Sequence, residues 1–235
     1  YNGGNVMNDP EIGDMYLIKL AFEPLPDTPL IGNSIGISTV SASGQSSPSA
    51  AFDGTNYLVV YADWQSGLVS DVYGQFVSPS GSLVGTAFAV SATAYEKHMP
   101  VVFFDGSNYL VAWFDFRNGA AQEDIYGQFV SPSAALVGPE MAISTATGSQ
   151  LKPFIAFDGI NYLVTWWDNR NGDFDIYGQN VSTAGTLTGP NFPINTSSGD
   201  QQRPEVIFDG TNYFVAWEDL RNGNLDIYGL IVSTA

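Results

Sequence analysis

The chain has no cysteine and only one histidine, and these two scarcities exclude several kinds of site. Without a thiol there is no disulfide framework, no cysteine nucleophile and no cysteine-ligated zinc or iron–sulfur centre. One histidine, His98, does not supply a multi-histidine metal centre. No apolar run reaches the length of about 18 residues that a membrane-spanning helix needs. We therefore expect no membrane insertion.

Basic side chains are also scarce. The sequence has 7 Lys and Arg residues against 24 Asp and Glu residues, which gives a formal net charge of -17. A surface this negative repels nucleic-acid phosphates and anionic lipid headgroups, because binding them requires clustered basic residues. Nucleic acids and membrane surfaces are therefore excluded as expected partners.

The most informative feature that is present is an internal repeat. The motif Phe-Asp-Gly-x-Asn-Tyr occurs in four copies, which start at Phe52, Phe104, Phe157 and Phe208. Each copy continues into an aromatic-x-Asp segment and then into Asp-(Ile/Val)-Tyr-Gly. A fixed period of about 50 residues indicates a repeat architecture.

Each unit has the pattern of four short strands. Asp-Gly-x-Asn is typical of a hairpin turn. The strand after it, residues 109–113 in the second copy, is apolar throughout and therefore predicts a sheet that is covered on both faces. The glycine of each Tyr-Gly pair is expected to allow close approach of a neighbouring sheet. The sequence thus predicts an all-β, four-bladed β-propeller with four-stranded antiparallel blades.

Closure of the ring is predicted at the two ends of the sequence. The fourth copy has three strands, and residues 30–38 carry the pattern of the missing fourth strand. We expect them to pair beside residues 226–232 and to complete the last blade, which removes two free sheet edges. Residues 30–235 then form the propeller. Residues 1–29 form an N-terminal extension with a spare strand and a proline-rich linker.

The repeats resemble those of secreted bacterial and archaeal β-propeller proteins, which carry Phe-Asp-Gly-x-Asn-Tyr and Asp-Ile-Tyr-Gly-Gln motifs. The resemblance covers residues 30–235. It implies a propeller fold and an extracellular or cell-surface location. It implies no defined activity.

Two aspartates and an arginine recur at the turn between the second and third strands. Because they repeat from blade to blade, we interpret them as structural clamps, with the guanidinium bridging two carboxylates, and not as one catalytic site. The set comprises Asp115, Arg117 and Asp124; Asp168, Arg170 and Asp175; and Asp219, Arg221 and Asp226. In the first copy Gln65 and Ser66 replace the Arg-Asn pair, so Asp63 and Asp71 are left without an arginine. This is the place where we would look for a bound cation such as calcium; no other cofactor is expected.

Two tryptophans, Trp64 and Trp167, depart from the repeat and are candidates for exposed contacts. The turns between second and third strands and the connections between blades also vary among the copies. Variation on one face of a repeated scaffold favours partner recognition there.

The apolar spare strand leads to our first functional hypothesis, a non-enzymatic extracellular structural or interaction module. Strand addition would let it bind another copy and build filaments or layers, or bind another extracellular protein or a glycan. The partner-binding residues are Met15, Tyr16, Leu17, Ile18, Leu20 and Phe22. The alternative is a carbohydrate- or calcium-binding propeller, and a glycosidase with two carboxylates is the last of the three hypotheses.

Overall fold

The computed structural model describes residues 32–39, 44–64, 69–119 and 121–234. Within these ranges the chain forms fifteen β-strands and no helix, so no described helix is long and apolar enough to cross a membrane. The strands are β1 (Gln45–Phe52), β2 (Tyr57–Asp63), β3 (Asp71–Val77), β4 (Leu83–Ser91), β5 (Lys97–Phe104), β6 (Tyr109–Asp115), β7 (Asp124–Val130), β8 (Leu136–Ser144), β9 (Gln150–Phe157), β10 (Asn161–Asp168), β11 (Asp175–Ser182), β12 (Leu187–Asn195), β13 (Gln201–Phe208), β14 (Asn212–Asp219) and β15 (Asp226–Ser233).

Strands that follow one another in the chain pair antiparallel and form four separate sheets. Blade one is β1 to β4, blade two β5 to β8, blade three β9 to β12 and blade four β13 to β15. The predicted all-β fold of successive antiparallel sheets is therefore confirmed. Blade four has three strands among the described residues, whereas each of the other blades has four.

The repeated Asp-Gly turns are closed by the aspartate side chain. In blade one, Asp53 Oδ1 accepts the backbone N–H groups of Thr55 and Asn56, each at 2.7 Å, and Gly54 takes a φ of 93°. Partial burial acts to raise the pKa of Asp53, but the two N–H donors outweigh it and the pKa is lowered. The same bonds occur at Asp105, Asp158 and Asp209. This local chemistry explains why the motif recurs.

The first strands of the blades line a common centre. Strand β1 contacts β5, β5 contacts β9, and β9 contacts β13. The apolar core lies between neighbouring blades, where Trp113 and Trp166 are fully buried and Trp217 nearly so. Blades two and three are therefore covered on both faces by their neighbours, as the continuous apolar runs indicate.

The Tyr-Gly glycines make room within their own blade, not for a neighbouring blade. A Cβ on Gly74 would lie 2.9 Å from Phe88 and 3.2 Å from Leu58, and both residues belong to the same sheet. A Cβ on Gly229 would lie 2.5 Å from Phe214 of its own sheet. The atoms nearest to these positions therefore belong to the glycine's own sheet and not to the neighbouring blade that we expected.

In blades one to three, the glutamine after the Tyr-Gly pair binds the third strand to the fourth. Gln75 is buried, and its Nε2 donates to the carbonyl of Val84 at 3.1 Å; Gln128 and Gln179 make the equivalent bond. Blade four has Leu230 at this position, and the side chain is exposed. The position therefore differs in the one blade whose described residues include no fourth strand.

Two blade faces are open. Ile227 of blade four is 76% exposed, whereas its equivalents Val72, Ile125 and Ile176 are 0% exposed. On blade one, Tyr57 is 42% exposed, although the equivalent tyrosines of the other blades are buried. Among the described residues the blades form no closed ring. The spare strand at residues 14–22, the linker and residues 30 and 31 lie outside the described ranges.

Candidate functional site

The repeated Asp, Arg and Asn residues form one network per turn. Arg170 donates from Nε and Nη2 to both oxygens of Asp168, at 2.9 and 2.5 Å, and its guanidinium lies 4.1 Å from the ring centre of Tyr177. Asp168 is fully buried and also accepts Trp166 Nε1 at 2.8 Å. The pairs Arg117 with Asp115 and Arg221 with Asp219 have the same geometry.

The second aspartate of each pair is held by asparagine and not by the arginine bridge that we expected. Asn118 Nδ2 donates to Asp124 Oδ2 at 2.5 Å, and the turns of blades three and four have the equivalent bond to Asp175 and Asp226. Burial raises the pKa of Asp124 to about 6, although Asn118 acts against this rise. Each clamp therefore combines an ion pair with a separate amide–carboxylate bond.

In blade one a lysine from the next blade pairs with the second aspartate of the turn, which asparagine holds in the other blades. Lys97 is fully buried, and its Nζ donates to Asp71 Oδ1 at 3.0 Å and to the carbonyls of Thr93 and Tyr95 at 3.1 and 2.7 Å. Asp71, which lacks the arginine of the other turns, is therefore paired with a lysine that was not identified from the sequence. Sequence comparison missed the pair because Lys97 lies 26 residues further along the chain. Gln65 and Ser66 lie outside the described residues.

The described residues contain no cluster of three or more His, Asp or Glu side chains arranged to hold a metal ion. Asp63 accepts Gln45 Nε2 at 3.4 Å, and Asp71 is paired with Lys97. Calcium binding at this turn therefore stays a prediction with no supporting arrangement in the described part of the chain.

The position before the repeated proline has the same backbone in every blade but a different side chain. The residue before the repeated proline has a left-handed backbone in all four first strands, with φ between 48° and 54°, and each first strand has a bulge there. The four residues are Ser47, Met99, Lys152 and Arg203. Their conformation is shared but their chemistry is not, so the side chains are not dictated by the repeat.

These four positions line two adjoining cavities, which we call the axial groove. One cavity of about 350 Å³ is bordered by Ser47, Met99 and Lys152. The other, of about 380 Å³, is bordered by Lys152, Arg203, Glu205 and Glu218, among others. Lys152 and Phe154 border both cavities, and each volume lies in the range of small-molecule sites, about 300–1,000 Å³.

Two glutamates lie on the same face of blade four within this groove. Glu205 pairs in register with Ala216, and Glu218 follows Ala216 by two residues, so all three side chains share one sheet face. The register places the two glutamate Cα atoms about 7–8 Å apart. Arg203 Nη1 donates to both oxygens of Glu218 at 3.0 Å.

The same two positions carry no charge in the other blades. Ser49, Val101 and Phe154 correspond to Glu205, and Ala62, Phe114 and Trp167 correspond to Glu218. Val101, Phe114 and Trp167 pack against apolar clusters between blades. Blade four thus presents carboxylates where other blades present mainly apolar packing. A comparison of the copies position by position around the repeated proline is the sequence signal that finds them.

The aromatic candidates lie at the same end of the blades as the groove. Lys152 Nζ is 5.8 Å from the ring centre of Trp167. The ring of Trp64 is 5.9 Å from that of His98, which also lies 5.4 Å from Phe114. His98 therefore belongs to an aromatic cluster, with Glu96 at 3.4 Å.

Comparison with known proteins identifies the fold. No protein family and no curated protein sequence matches the chain. Among solved structures, an endo-arabinase from Bacteroides thetaiotaomicron has a TM-score of 0.51 at 13% identity, over 80% of this chain and 74% of that chain. A GH43 endo-arabinanase from Bacillus licheniformis has a TM-score of 0.50 at 12% identity, over 80% and 71%.

An α-L-arabinofuranosidase from Lactobacillus brevis has a TM-score of 0.51 at 8% identity, over 80% of this chain and 72% of that chain. At these identities the likeness establishes a shared β-propeller-like architecture. All three structures are nevertheless carbohydrate-active enzymes. They overturn the hypothesis of a non-enzymatic structural module that assembles through its N-terminal strand, and with it the expectation that the chain is not an enzyme. The residues proposed for strand addition, Met15 to Phe22, lie outside the described ranges.

Proposed function

We propose that the chain is a carbohydrate-active β-propeller that binds a saccharide in the axial groove and cleaves a glycosidic bond there. The observation that carries this proposal is the placement of Glu205 and Glu218 on one face of blade four, at the border of one cavity. The names of the similar structures, which are arabinan- and arabinofuranoside-acting enzymes, support the same class of substrate.

The spacing of the two carboxylates suits this chemistry. Glycosidases use carboxyl groups about 5–9.5 Å apart, one as the proton donor and one as base or nucleophile. Cα atoms about 7–8 Å apart on adjacent strands allow flexible glutamate side chains to reach such separations. Phe154, which borders both cavities, offers an apolar surface for the face of a sugar ring.

The two glutamates have different surroundings, and this difference assigns their roles. Arg203 engages both oxygens of Glu218 and fixes the orientation of this carboxylate. Among the described residues, Glu205 has no ion-pair partner, and it is exposed at the cavity. Glu205 is therefore the proton donor and acceptor in this proposal, and Glu218 is the oriented carboxylate on the other side of the bond.

The test is hydrolysis of arabinan and of a panel of other polysaccharides, followed by the release of reducing ends. Glu205→Gln and Glu218→Gln should each lower the rate by at least about 100-fold, because each variant removes one carboxyl from the chemistry. Asp209→Asn is the matched control, since this exposed carboxylate caps a distant turn and asparagine can accept the same N–H bonds. Full activity of both glutamine variants, or no activity on any glycan, contradicts the proposal.

We also propose that residues 30–38 complete blade four and close the ring. Ile35 and Ile37 border a cavity with Tyr57 and Val77 on the open face of blade one. Their equivalents in β4, Phe88 and Val90, pack against the corresponding face of blade two. Residues 32–38 form no strand in the structure, and the packing of Ile35 and Ile37 is the observation that supports this proposal.

A further inference from the structure

The few basic side chains of this chain are distributed unevenly. Of its 7 Lys and Arg residues, 6 lie in the described ranges. Lys97 and the three clamp arginines are each paired with a structural aspartate. The remaining two, Lys152 and Arg203, border the same cavity of the axial groove.

The fold itself does not require charge at these two positions. Lys152 and Arg203 occupy the same left-handed bulge, with φ of 50° and 54°, in adjacent first strands. Blades one and two form the same bulge with Ser47 and Met99, at φ of 53° and 48°. The bulge therefore forms equally well with an uncharged side chain, and the two cations call for a different explanation.

Lys152 has no ion-pair partner among the described residues, although the chain carries a net charge of -17. Its ammonium lies 5.8 Å from the ring centre of Trp167. Arg203 engages Glu218 through Nη1 alone and is 53% exposed, so its other donors face the groove or solvent. Two cations with free hydrogen-bond donors thus border one cavity.

We infer that the axial groove selects an acidic saccharide, a short glycan whose uronate carboxylate lies between Lys152 and Arg203. This inference rests on the proposed function and names the class of its ligand. Charge-assisted hydrogen bonds to a carboxylate are about twice as strong as neutral ones, and the planar guanidinium fits two carboxylate oxygens. A neutral sugar uses neither property.

The net negative charge of the chain disfavours a long acidic ligand but does not exclude a short one. Repulsion between the chain and a distant anion is screened beyond about 8 Å at physiological ionic strength. Contacts at hydrogen-bond distance inside the groove are screened much less. A short acidic oligosaccharide therefore gains the two groove contacts without bringing many further charges near the acidic surface.

The inference is tested by titration calorimetry of the full chain at physiological salt with three ligands. These are trigalacturonate, its methyl ester, and a neutral arabino-oligosaccharide of the same length. Trigalacturonate should bind about tenfold more tightly than its ester. Lys152→Gln should reduce this preference to less than about twofold, because it weakens the binding of trigalacturonate more than the binding of the two uncharged ligands. Lys152→Arg should retain the preference.

Thr55→Glu is the control for net charge. It lowers the net charge by one unit, as Lys152→Gln does, but at an exposed turn beyond the other end of β1, and it should leave the preference intact. Equal binding of trigalacturonate and its ester by the unmodified chain overturns this inference, and the proposed function stands if the neutral ligand binds. Absence of binding to all three ligands, together with no hydrolysis in the panel, overturns both. If Lys152→Gln does not fold, the ester comparison and Lys152→Arg decide the matter.

Discussion

The ion pairs Asp168–Arg170 and Asp71–Lys97 bury charges of opposite sign. We therefore expect removal of the cation to destabilise the first pair more, and removal of the carboxylate to destabilise the second pair more. In blade three the carboxylate of Asp168 is 0% exposed and the guanidinium of Arg170 is 19% exposed. Between blades one and two the ammonium of Lys97 is 0% exposed and the carboxylate of Asp71 is 22% exposed. Removing the more exposed partner leaves a buried charge without its counter-ion, and this substitution should lower the free energy of unfolding more than removal of the buried partner.

The size of the effect follows from what remains around the buried charge. Breaking a buried ion pair costs about 3–5 kcal/mol. In Arg170→Met, Asp168 keeps the indole N–H of Trp166 at 2.8 Å and a backbone N–H at 2.9 Å, so we expect a loss of about 3 kcal/mol. In Asp168→Asn, water can hydrate the arginine that is left, and we expect about 1–2 kcal/mol.

The order should reverse for the lysine pair. Asp71→Asn leaves the buried Lys97 ammonium with two carbonyl acceptors, at 2.7 and 3.1 Å, and should cost about 3 kcal/mol. Lys97→Met leaves a carboxylate that water reaches and should cost about 1–2 kcal/mol. The four free energies of unfolding are measured at pH 7 by urea denaturation with tryptophan fluorescence. If substitution of the cation lowers stability more in both pairs, or substitution of the carboxylate lowers it more in both pairs, the argument from burial is refuted.

Two further predictions concern the second clamp aspartate and the closing segment. Burial raises the pKa of Asp124 to about 6, above the value of about 3.9 in an unfolded chain, so the native state binds this proton more tightly and stability falls as the pH rises through that range. Asp124→Asn should therefore raise the Tm at pH 8 but not at pH 4, and an equal change at both pH values would contradict this cause. Ile37→Asn should lower the Tm by several degrees because Ile37 borders the apolar face of blade one, whereas the control Ser34→Asn, at an exposed position, should leave it unchanged.

Much of the fold could be predicted from the sequence because each element is specified by local chemistry. The Asp-Gly-x-Asn turns close on their own aspartate, as at Asp53, and the continuous apolar strands indicate sheets that are covered on both faces. Blade boundaries follow from the period of the motif. Closure of the ring stays a prediction, because it depends on one pairing between residues that are far apart in the chain, and blade four has three strands among the described residues.

The candidate site was not predicted from the sequence, since its two glutamates do not recur in the other repeats. The repeated aspartates and arginines are conspicuous, yet they form the same structural network in successive blades. Glu205 and Glu218 follow the proline and the buried tryptophan of a repeat that otherwise looks complete, and they become a pair only through the register of β13 with β14. The ion pair of Asp71 with Lys97 was not predicted either, because Lys97 belongs to the next repeat and approaches Asp71 only when two blades pack together.

The bulge that lines the groove carries its own energetic cost, and this cost can be measured at Ser47. A left-handed φ costs an ordinary residue about 1–2 kcal/mol, and a following proline disfavours helical backbone further. Ser47 has a φ of 53° before Pro48. Glycine adopts this φ without penalty but loses about 0.5–1 kcal/mol of backbone entropy on folding, so Ser47→Gly should be more stable than the unmodified chain by about 0.5 kcal/mol.

Ser47→Ala is the matched control, because it removes the same hydroxyl and keeps the Cβ that makes this φ unfavourable. Its stability should equal that of the unmodified chain or fall slightly, since the hydroxyl makes only a long contact of 3.4 Å to Ser46. Urea denaturation of both variants gives the comparison. A glycine variant that is no more stable than the alanine variant would show that the left-handed φ at Ser47 carries no energetic cost in solution.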